Sequence, residues 1–348
     1  MARFSQPAEW SPHEAVWVAW PSAPDLWNPH LAAAQQAFAA MCAAIADPDP
    51  STGKPRGERI ELLVPNEARR REAVAQLKGL SPRAHAIPFG DIWLRDTAPI
   101  FVRSTEGALR AACFRFNGWG EKYVLPGDDR VAERVASAAE VPSAPYDWVL
   151  EGGSVEVDGE GTVLTTRQCL LHPTRNPNLD STGIEARLRE ALGVDTVLWL
   201  HEGLLNDHTD GHVDNLARFV APGVVVCMEP ASGDDPNNHV LRSIASELGR
   251  MTDAAGRRLE VVRIPSPGRV EAPDGHVLPA SYVNFYIGNR AVVVPTYGSP
   301  SDDAAVRAIG DLFSGRRTLG IDARAILSGG GAFHCITQQE PIASGTDT

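Results

Sequence analysis

Four short stretches of the sequence carry side chains that could do chemistry together. Cys335 follows three glycines and a histidine in GGGAFHCITQQEP, and His212 and Asp214 stand two apart in GHVDN. Asp96 lies in WLRDTAP, and Glu151 lies in LEGGS. Carboxylates, an imidazole and a thiol rarely recur in otherwise apolar runs unless they have partners. We therefore interpret these five residues as one candidate catalytic site.

The residue types favour attack by sulfur on a cationic carbon. A thiol attacks as its thiolate, and a histidine can move protons near neutral pH. A Cys–His pair alone also fits acyl transfer, as in a cysteine protease, but carboxylates would repel the oxyanion of that reaction. Two carboxylates can instead grip a guanidinium through paired hydrogen bonds and leave its carbon open to the thiolate. The inventory therefore predicts a guanidine deiminase.

A zinc site is the competing interpretation of the histidine, because HTDGH spaces His208 and His212 like a ligand pair on a helix. Gly211 interrupts the helix that such a pair needs. Among these motifs only Cys335 offers a further soft ligand. We therefore expect no metal.

The elements around these stretches repeat along the chain. The repeating unit has two β runs joined by a turn, then a helix, then a third β run. Four units begin at Trp93, Gly153, His212 and Tyr282. A fifth unit is divided between the ends of the chain, where residues 332–339 supply one β run and residues 15–21 supply its partner. The terminal segments are therefore expected to pair.

Units that recur roughly every 50 to 70 residues favour a closed radial array, an α/β, five-bladed, pseudo-symmetric propeller. An α/β protein with adjacent hairpins and no symmetry is the alternative. In a ring, the start of each unit's first strand lies near the axis, and the candidate residues fall at those starts. His212 and Asp214, two apart on a predicted strand, are expected to face the same side.

Composition and charge narrow the function classes. With 348 residues, 43% of them hydrophobic, the chain can bury a sizeable core, and we expect one domain over 1–348. The net charge of -12 disfavours nucleic acid and suits a cationic substrate. Five cysteines, an odd number, favour a reducing cytoplasm over a disulfide framework. No apolar run is long enough to span a membrane, and the Pro/Gly-rich segment 265–280 favours a mobile loop.

Several sequence blocks, in order and nearly from end to end, closely resemble the agmatine deiminases. These belong to the guanidino-group-modifying superfamily, which also includes arginine deiminases and peptidylarginine deiminases. The blocks are PAEWSPHEAVWVAWP, WLRDTAP, FNGWG, LEGGSVEVDGEGTVLTT, RNP, DHTDGHVDNLARFV, SYVNFYIGNRAVVVP and GGGAFHCITQQEP. The resemblance implies a five-bladed pentein-type α/β propeller, no metal or organic cofactor, a homodimer and a place in polyamine biosynthesis.

The resemblance also implies a role for each candidate residue. Cys335 would be the nucleophile, and His212 the general acid and base. Glu151 would hydrogen-bond the histidine or a guanidinium nitrogen, while Asp96 and Asp214 would hold the guanidinium. The implied reaction is hydrolysis of agmatine to N-carbamoylputrescine and ammonia through a covalent thiouronium on the cysteine.

Three further residues are implied on the substrate side. Trp93 would line the pocket, and Asp207 would meet the far amine of agmatine. Trp119 would wall the aliphatic chain, with a core role as the alternative.

Departures from the family pattern keep other substrates open. Ala332 and Phe333 stand before the His-Cys pair where Asn-Ile is usual, and His208 stands where another residue type is expected. The alternatives are deimination of another guanidine or of peptidyl-arginine, amidino transfer within the same superfamily, and a catalytically inactive guanidine-binding module.

Overall fold

The strands of the protein group into five separate sheets within residues 3–343, the part of the chain that this computed structural model describes. The strands, numbered along the chain, are β1 Phe4–Ser5, β2 His13–Ala19, β3 Arg59–Val64, β4 Arg83–Ala86, β5 Ile100–Ser104, β6 Leu109–Arg115, β7 Ser143–Val149, β8 Val155–Val157, β9 Thr162–Thr166, β10 Thr196–Leu200, β11 Ala217–Ala221, β12 Val224–Glu229, β13 Glu260–Pro265, β14 Tyr286–Ile287, β15 Ala291–Thr296, β16 Arg317–Asp322 and β17 Thr337–Pro341. The helices are α1 Pro24–Trp27, α2 Leu31–Ala46, α3 Glu67–Gln76, α4 Leu94–Thr97, α5 Gly118–Glu121, α6 Val131–Ala138, α7 Arg167–Leu170, α8 Ser181–Leu192, α9 Asn238–Leu248, α10 Asp302–Asp311 and α11 Arg324–Leu327.

Each sheet is built from the same three-strand unit. The orders are β5–β6–β7, β8–β9–β10, β11–β12–β13, β14–β15–β16 and β17–β2–β3, with β1 added beside β5 and β4 added beside β3. In every unit the first two strands are antiparallel, and the third, which follows at least one helix, is parallel to the second. The predicted unit of hairpin, helix and strand is confirmed.

The two terminal segments share one sheet, as the sequence predicts. Strand β17 runs antiparallel to β2, with Thr337 opposite Val18 and Glu340 opposite Ala15. The N–H of Ile342 extends this pairing by donating to the carbonyl of Pro12 at 3.1 Å. The fold is therefore a mixed α/β structure. Strand β17, the last described strand, completes the sheet that contains β2, β3 and β4.

Helices cover these sheets with one apolar face. In α9, Val240, Leu241, Ile244 and Leu248 are buried, a spacing that places all four on one side of the helix. The middle strand of the same sheet, β12, contributes the continuous run VVVC, which is typical of a strand paired on both sides and covered by a helix. Burial of such faces holds each unit together.

The candidate residues lie in tight turns before the strands, so the expectation that they lie on strands is wrong. Asp96 is in the helical turn α4, and Asp214 is in a single 3₁₀ turn over Val213–Asn215. Their backbone hydrogen bonds close locally, for example from the N–H of Leu216 to the carbonyl of Val213 at 2.9 Å. A strand would commit the same groups to its neighbours. His212 and Asp214 therefore do not share the face of a strand.

The predicted loop contains neither helix nor strand. After β13 ends at Pro265, the described backbone enters no regular element until β14, apart from an isolated bridge between Glu271 and Val277. The mobility of this segment stays a prediction. No helix within residues 3–343 combines the length and apolar character needed to cross a membrane.

Candidate active site

The three glycines before Cys335 form the floor of a cavity. A Cβ atom on Gly329 would lie 2.8 Å from the Trp93 ring and 2.9 Å from the Trp27 ring, and one on Gly331 would lie 3.0 Å from Sγ of Cys335. Contacts below 3.0 Å cannot be accommodated without a shift of the ring. The middle glycine, Gly330, has a φ of 111°, which L side chains rarely adopt. Glycine therefore lets the chain pass beneath two indoles and deliver the thiol.

The thiol of Cys335 is buried among polar groups. Nδ2 of Asn284 lies 3.1 Å from Sγ and can donate to it, and Oδ2 of Asp214 lies 3.6 Å from Sγ. Burial, together with the charges of Asp214 and Asp96, raises the pKa of the Cys335 thiol well above its usual value, against the hydrogen bond from Asn284. The raised pKa favours the neutral thiol over the thiolate.

Asp96, His212 and Asp214 converge on one point, which Gly153 marks. A Cβ atom on Gly153 would lie 2.6 Å from Nδ1 of His212 and 3.0 Å from both Oδ2 of Asp214 and Oδ1 of Asp96. The N–H of Gly153 donates to Oδ1 of Asp96 at 2.9 Å. Cys335 joins this group through its contact with Asp214. The structure thus brings four of the five predicted catalytic residues together.

His212 is fully buried, and neither of its ring nitrogens has a hydrogen-bond partner among the described residues. Oδ1 of Asp214 is likewise without a partner in residues 3–343. Burial alone would lower the pKa of His212, but the carboxylate of Asp96 and the contact with Cys169 raise it to about 10. Buried polar atoms without partners are costly, so these atoms mark where a ligand would donate and accept hydrogen bonds.

Asp96 is oriented by an indole in an unusual backbone conformation. Nε1 of Trp119 donates to Oδ2 of Asp96 at 2.8 Å. Trp119 has a φ of 54°, in the left-handed region that bulky residues rarely occupy. Burial and the neighbouring charge of Asp214 raise the pKa of Asp96, while the charge of His212 opposes the rise. The strained tryptophan therefore both lines the cavity and fixes one carboxylate.

Glu151, the fifth predicted residue, is bound by an arginine. Nε of Arg175 lies 2.9 Å and 3.1 Å from the two oxygens of Glu151, and both side chains are fully buried. Glu151, Cys169 and His212 have ligand atoms within 4.8 Å of one another, which is the donor set of a zinc site. Because the guanidinium of Arg175 already neutralises that carboxylate, we assign no metal here.

The cavity above the thiol measures about 260 Å³ and has largely aromatic walls. Its lining includes the indoles of Trp27, Trp93 and Trp119, with Asp96 and Cys335 at its inner end. Trp27 and Trp93 stack with ring centroids 6.0 Å apart. Such walls suit an aliphatic chain that carries cationic groups.

Two acids are candidates for the outer part of the cavity. Asp91 lines it and accepts hydrogen bonds from Nε1 of Trp27 at 2.8 Å and of Trp93 at 2.7 Å. Asp207, the residue that the resemblance points to, does not line the cavity, and its Oδ1 accepts from the backbone and hydroxyl of Thr209. Of these two acids, Asp91 is therefore the one that lines the cavity.

Sequence reasoning missed several residues of this site. Asn284 precedes the first strand of the fourth unit, the place where the other units supply their candidate residues, so the same rule could have found it. Asp91 stands two residues before Trp93 in the same block. Arg175 lies in the RNP block that the resemblance includes. No pattern in the sequence indicates that Arg175 neutralises Glu151, because their contact depends on the tertiary fold.

Known proteins resemble this chain over almost its entire length. A family model described as Porphyromonas-type peptidyl-arginine deiminase matches residues 5–341. The agmatine deiminase of Stutzerimonas stutzeri (strain A1501) is 40% identical over 361 residues, covering 97% of this chain and 95% of that protein. The agmatine deiminase of Pseudomonas aeruginosa (strain UCBPP-PA14) is 38% identical, covering 97% of this chain and 95% of that protein.

The fold is shared as well. A solved structure of the agmatine deiminase of Enterococcus faecalis superposes with a TM-score of 0.89 and 34% identity, covering 98% of this chain and 96% of that chain. The resemblance inferred from the sequence blocks is thereby confirmed. With a family match over residues 5–341 and relatives aligned over nearly its whole length, the chain belongs to the Porphyromonas-type peptidyl-arginine deiminase family.

Proposed function

We propose that this protein is an agmatine deiminase, which hydrolyses agmatine to N-carbamoylputrescine and ammonia. One observation carries the proposal: a buried thiol lies 3.6 Å from Asp214, which converges with Asp96 and His212, and both the thiol and Asp96 line an aromatic cavity. Two full-length relatives at 40% and 38% identity are named agmatine deiminases, and this supports the choice of substrate.

The guanidinium would enter between Asp96 and Asp214. Both aspartates lie within reach of one point, and Oδ1 of Asp214 is free to accept a hydrogen bond among the described residues. A cation there offsets the repulsion between the two carboxylates and lowers the cost of ionising the thiol of Cys335. Substrate binding would therefore generate the nucleophile, with the thiol proton leaving to water.

His212 would act first as an acid and then as a base. With a pKa of about 10 it is an imidazolium at neutral pH. After the thiolate of Cys335 attacks the guanidinium carbon, His212 protonates the departing nitrogen and ammonia leaves. The neutral imidazole then takes a proton from the water that attacks the thiouronium. Collapse of that adduct releases the ureido product and the thiolate.

Glu151 would support the protonated form of His212 through its negative charge, without accepting a proton itself. Its carboxylate is already paired with Arg175, and one of its oxygens lies within 4.8 Å of a His212 ring nitrogen. This arrangement leaves the imidazole as the group that exchanges protons. The resemblance implies a hydrogen bond from Glu151 to the histidine or to a guanidinium nitrogen, and among the described residues the His212 ring nitrogens have no hydrogen-bond partner.

The aliphatic chain of agmatine would lie between the tryptophans and present its far amine to Asp91. Each oxygen of Asp91 accepts one indole N–H and keeps a further lone pair for an ammonium. The stacked rings of Trp27 and Trp93 add cation–π attraction.

The five sheets would form the blades of a propeller around this site. Four of the site residues, Asp96, Asp214, Asn284 and Cys335, stand just before the first strand of four different units. Glu151 stands in the corresponding place before β8 in the remaining unit. Pairing of β17 with β2 would close the ring.

The reaction is tested by incubating the purified protein with agmatine, free arginine and an arginyl peptide while ammonia and ureido product are measured. We expect turnover of agmatine at the highest kcat/KM. Turnover of arginine or of the peptide, with none of agmatine, would reassign the substrate. Ammonia-free transfer of the amidino group to an added amine would instead indicate an amidinotransferase.

The acid that binds the far amine is tested with butylguanidine, which has the guanidinium and chain of agmatine but no amine. We expect Asp91→Asn to raise KM for agmatine about tenfold more than KM for butylguanidine, the cost of one unscreened charge pair, because the loss of an acceptor for one indole affects both substrates alike. Asp207→Asn is the matched variant. If only Asp207→Asn lost the preference for agmatine over butylguanidine, Asp207 would be the acid that binds the far amine.

A further inference from the structure

A chain of buried charged groups extends from Asp214 away from the cavity. Nδ1 of His334 lies 2.7 Å from Oδ2 of Asp214, and Nε2 of His334 lies 2.7 Å from Oε2 of Glu9. All three side chains are at most 5% exposed. We call Asp214, His334 and Glu9 the relay. Glu9 belongs to the PAEW motif near the N-terminus, which takes no part in the chemistry above.

The geometry determines the protonation of the relay histidine. An ionised carboxylate only accepts hydrogen bonds, whereas a neutral imidazole has one donor and one acceptor nitrogen. Both nitrogens of His334 face carboxylate oxygens at 2.7 Å, so both must donate. Burial raises the pKa of Glu9, but Arg218 and His334 hold it well below the usual value, and His334 likewise outweighs burial at Asp214. The relay is therefore an imidazolium between two carboxylates.

Elements from two sheets and one helix hold Glu9 in place. Oε1 accepts the N–H of Ile287 at 2.8 Å, and Oε2 lies 2.9 Å from Nη2 of Arg218 and 3.4 Å from Nη2 of Arg95. These residues come from β14, β11 and α4. The position of Glu9, and through it that of His334, is therefore fixed by contacts from parts of the chain that are distant in sequence.

Charged and titratable groups face the relay from several elements. Those at Asp214 are His334, His212, Arg218, Asp96 and Cys335. Those at Glu9 are Arg218, His334, Arg95, Glu156, Tyr286 and Arg316. The imidazolium is the cation that donates to Asp214 by a direct hydrogen bond, so it is the group whose loss would change Asp214 most.

We propose that Glu9 and His334 are positioning residues that keep Asp214 ionised and hold its carboxylate in one orientation beside the thiol of Cys335. The proposal rests on the proposed deiminase function. The hydrogen bond from His334 holds Oδ2, the oxygen that lies 3.6 Å from Sγ of Cys335, and Oδ1 has no partner within residues 3–343. The PAEW motif thereby keeps Asp214 negatively charged, although Glu9 does not contact the substrate.

Removal of the Glu9 charge should change the pH dependence of the reaction in one direction. Without Glu9 the imidazolium is less favoured, so Asp214 loses a charge-assisted hydrogen bond and its pKa rises. Asp214 and Asp96 titrate as a coupled pair, so the acidic limb of kcat/KM belongs to the pair. A carboxylate with a raised pKa is ionised only at higher pH. The limb therefore moves to higher pH.

The test is Glu9→Gln, which keeps the shape of the side chain and removes its charge. We expect the acidic limb of kcat/KM for agmatine to rise by about one pH unit or more, the loss of one hydrogen bond to a charged group. KM for agmatine should rise on the acidic side, where the aspartate pair becomes protonated, and equal the wild-type value at higher pH. An acidic limb at the wild-type pH would overturn the proposal.

Glu156→Gln is the matched control. Glu156 is also buried and accepts from Nε of the same Arg218 at 2.7 Å, but it makes no hydrogen bond to His334. Glu156→Gln should lower the free energy of unfolding about as much as Glu9→Gln does. It should leave the acidic limb of kcat/KM at the wild-type pH. If the acidic limb moved equally in Glu9→Gln and Glu156→Gln, the shift would reflect the loss of any nearby buried charge, and the proposal would be contradicted.

A spectroscopic measurement on the unmodified protein removes any dependence on folding of the variants or on turnover. In protein labelled with ¹⁵N-histidine, with His334 assigned from His334→Gln, both ring nitrogens should have imidazolium shifts at the pH of the kinetic assays, because both face carboxylate oxygens at 2.7 Å. A neutral His334 at that pH would overturn the proposal. If no guanidine is turned over, the proposed function fails while this signal still decides the relay.

Discussion

At the scale of single residues, the thiol of Cys335 sits where its own ionisation is opposed. Asp214 and Asp96 place negative charge beside it, and burial removes water. Asn284 offsets this in part, since its Nδ2 can donate to Sγ at 3.1 Å. Oδ1 of Asn284 also accepts from the N–H groups of His334 and Cys335, which fixes the amide. The reactive thiolate therefore depends on the substrate cation and on one amide donor.

Substitution of that amide gives a direct prediction. Asn284→Ala should lower kcat about 10- to 100-fold with little change in KM, because a hydrogen bond to a charged group contributes about 1.5–3 kcal/mol. Asn284→Asp keeps the size but adds a negative charge beside the sulfur, so it should be slower still. Steady-state kinetics on both variants measure this. Wild-type kcat in both would exclude a role for Asn284 in the chemistry.

The charge states of His212 and Asp96 predict a pH profile. His212 must be protonated to release ammonia, so kcat/KM should fall on the alkaline side near its pKa of about 10. Asp96 must be ionised to hold the cation, and its pKa is raised, so the acidic limb should lie above that of an exposed aspartate. A pH–rate profile with agmatine measures both limbs. A fall centred near pH 6.5 on the alkaline side, the value of an ordinary histidine, would contradict this assignment.

The residue types alone were enough to predict a guanidine site at Cys335, His212, Asp96 and Asp214, because a thiol and paired carboxylates fit few other chemistries. The partners of Glu9 and His334 could not be predicted, since residues 325 positions apart meet only in the folded chain. The contact between Asp207 and Thr209 is local, yet no sequence rule indicates which way the carboxylate turns.

At the scale of elements, the glycine turn over Gly329–Gly331 determines the depth of the cavity. It follows helix α11 and passes beneath Trp27 and Trp93 before the thiol. A side chain at any of its three positions would meet a ring within 3.0 Å. The position of the thiol in the cavity therefore depends on how closely the turn packs against the tryptophans of the wall.

An added methyl group in this turn tests that coupling. Gly331→Ala places a Cβ 2.8 Å from the Trp93 ring and 3.0 Å from Sγ, so either the wall or the thiol must move. We expect kcat/KM to fall about 100-fold, the effect of a displacement of about 1 Å between reacting groups. In Gly315→Ala, the control, the added Cβ has no described atom within 4 Å, and activity should be retained. Similar activities in the two variants would refute a tight turn.

The order of elements was predictable because each unit repeats a turn, an amphipathic helix and an apolar strand. Helix α9 and strand β12, for example, follow the apolar periods of their sequences. The short turns that carry Asp96 and Asp214 were predicted as strands instead. Turns of three or four residues are too short to have a period of their own, and their apolar neighbours resemble the strands that follow.

At the scale of the whole molecule, the ends of the chain are joined through one sheet. Besides the pairing of β17 with β2, Arg95 in α4 donates to the side chains of Gln338 and Gln339 in β17 at 2.9 Å and 2.7 Å. The last strand therefore binds both the sheet of the N-terminal segment and the turn that carries Asp96. The site forms only when these distant segments meet.

A circular permutant tests whether this closure is the basis of the fold. The present ends would be joined by a flexible linker, and new ends opened in the exposed turn Ser51–Gly53. Because the β17–β2 pair persists, we expect kcat/KM within about threefold of the parent and a Tm within about 5 °C. New ends placed inside β12 instead should prevent folding. A permutant opened at the exposed turn that is folded but inactive would argue against closure as the element that assembles the site.

The most direct test of covalent deimination is the intact mass of the protein after acid quenching during turnover of agmatine. We expect a transient species heavier by agmatine less ammonia, mapped by peptide digestion to Cys335 and missing from Cys335→Ala, which should still bind agmatine. Steady turnover of agmatine with an unmodified Cys335 at every quench time, together with full activity of Cys335→Ala, would contradict the mechanism at its centre.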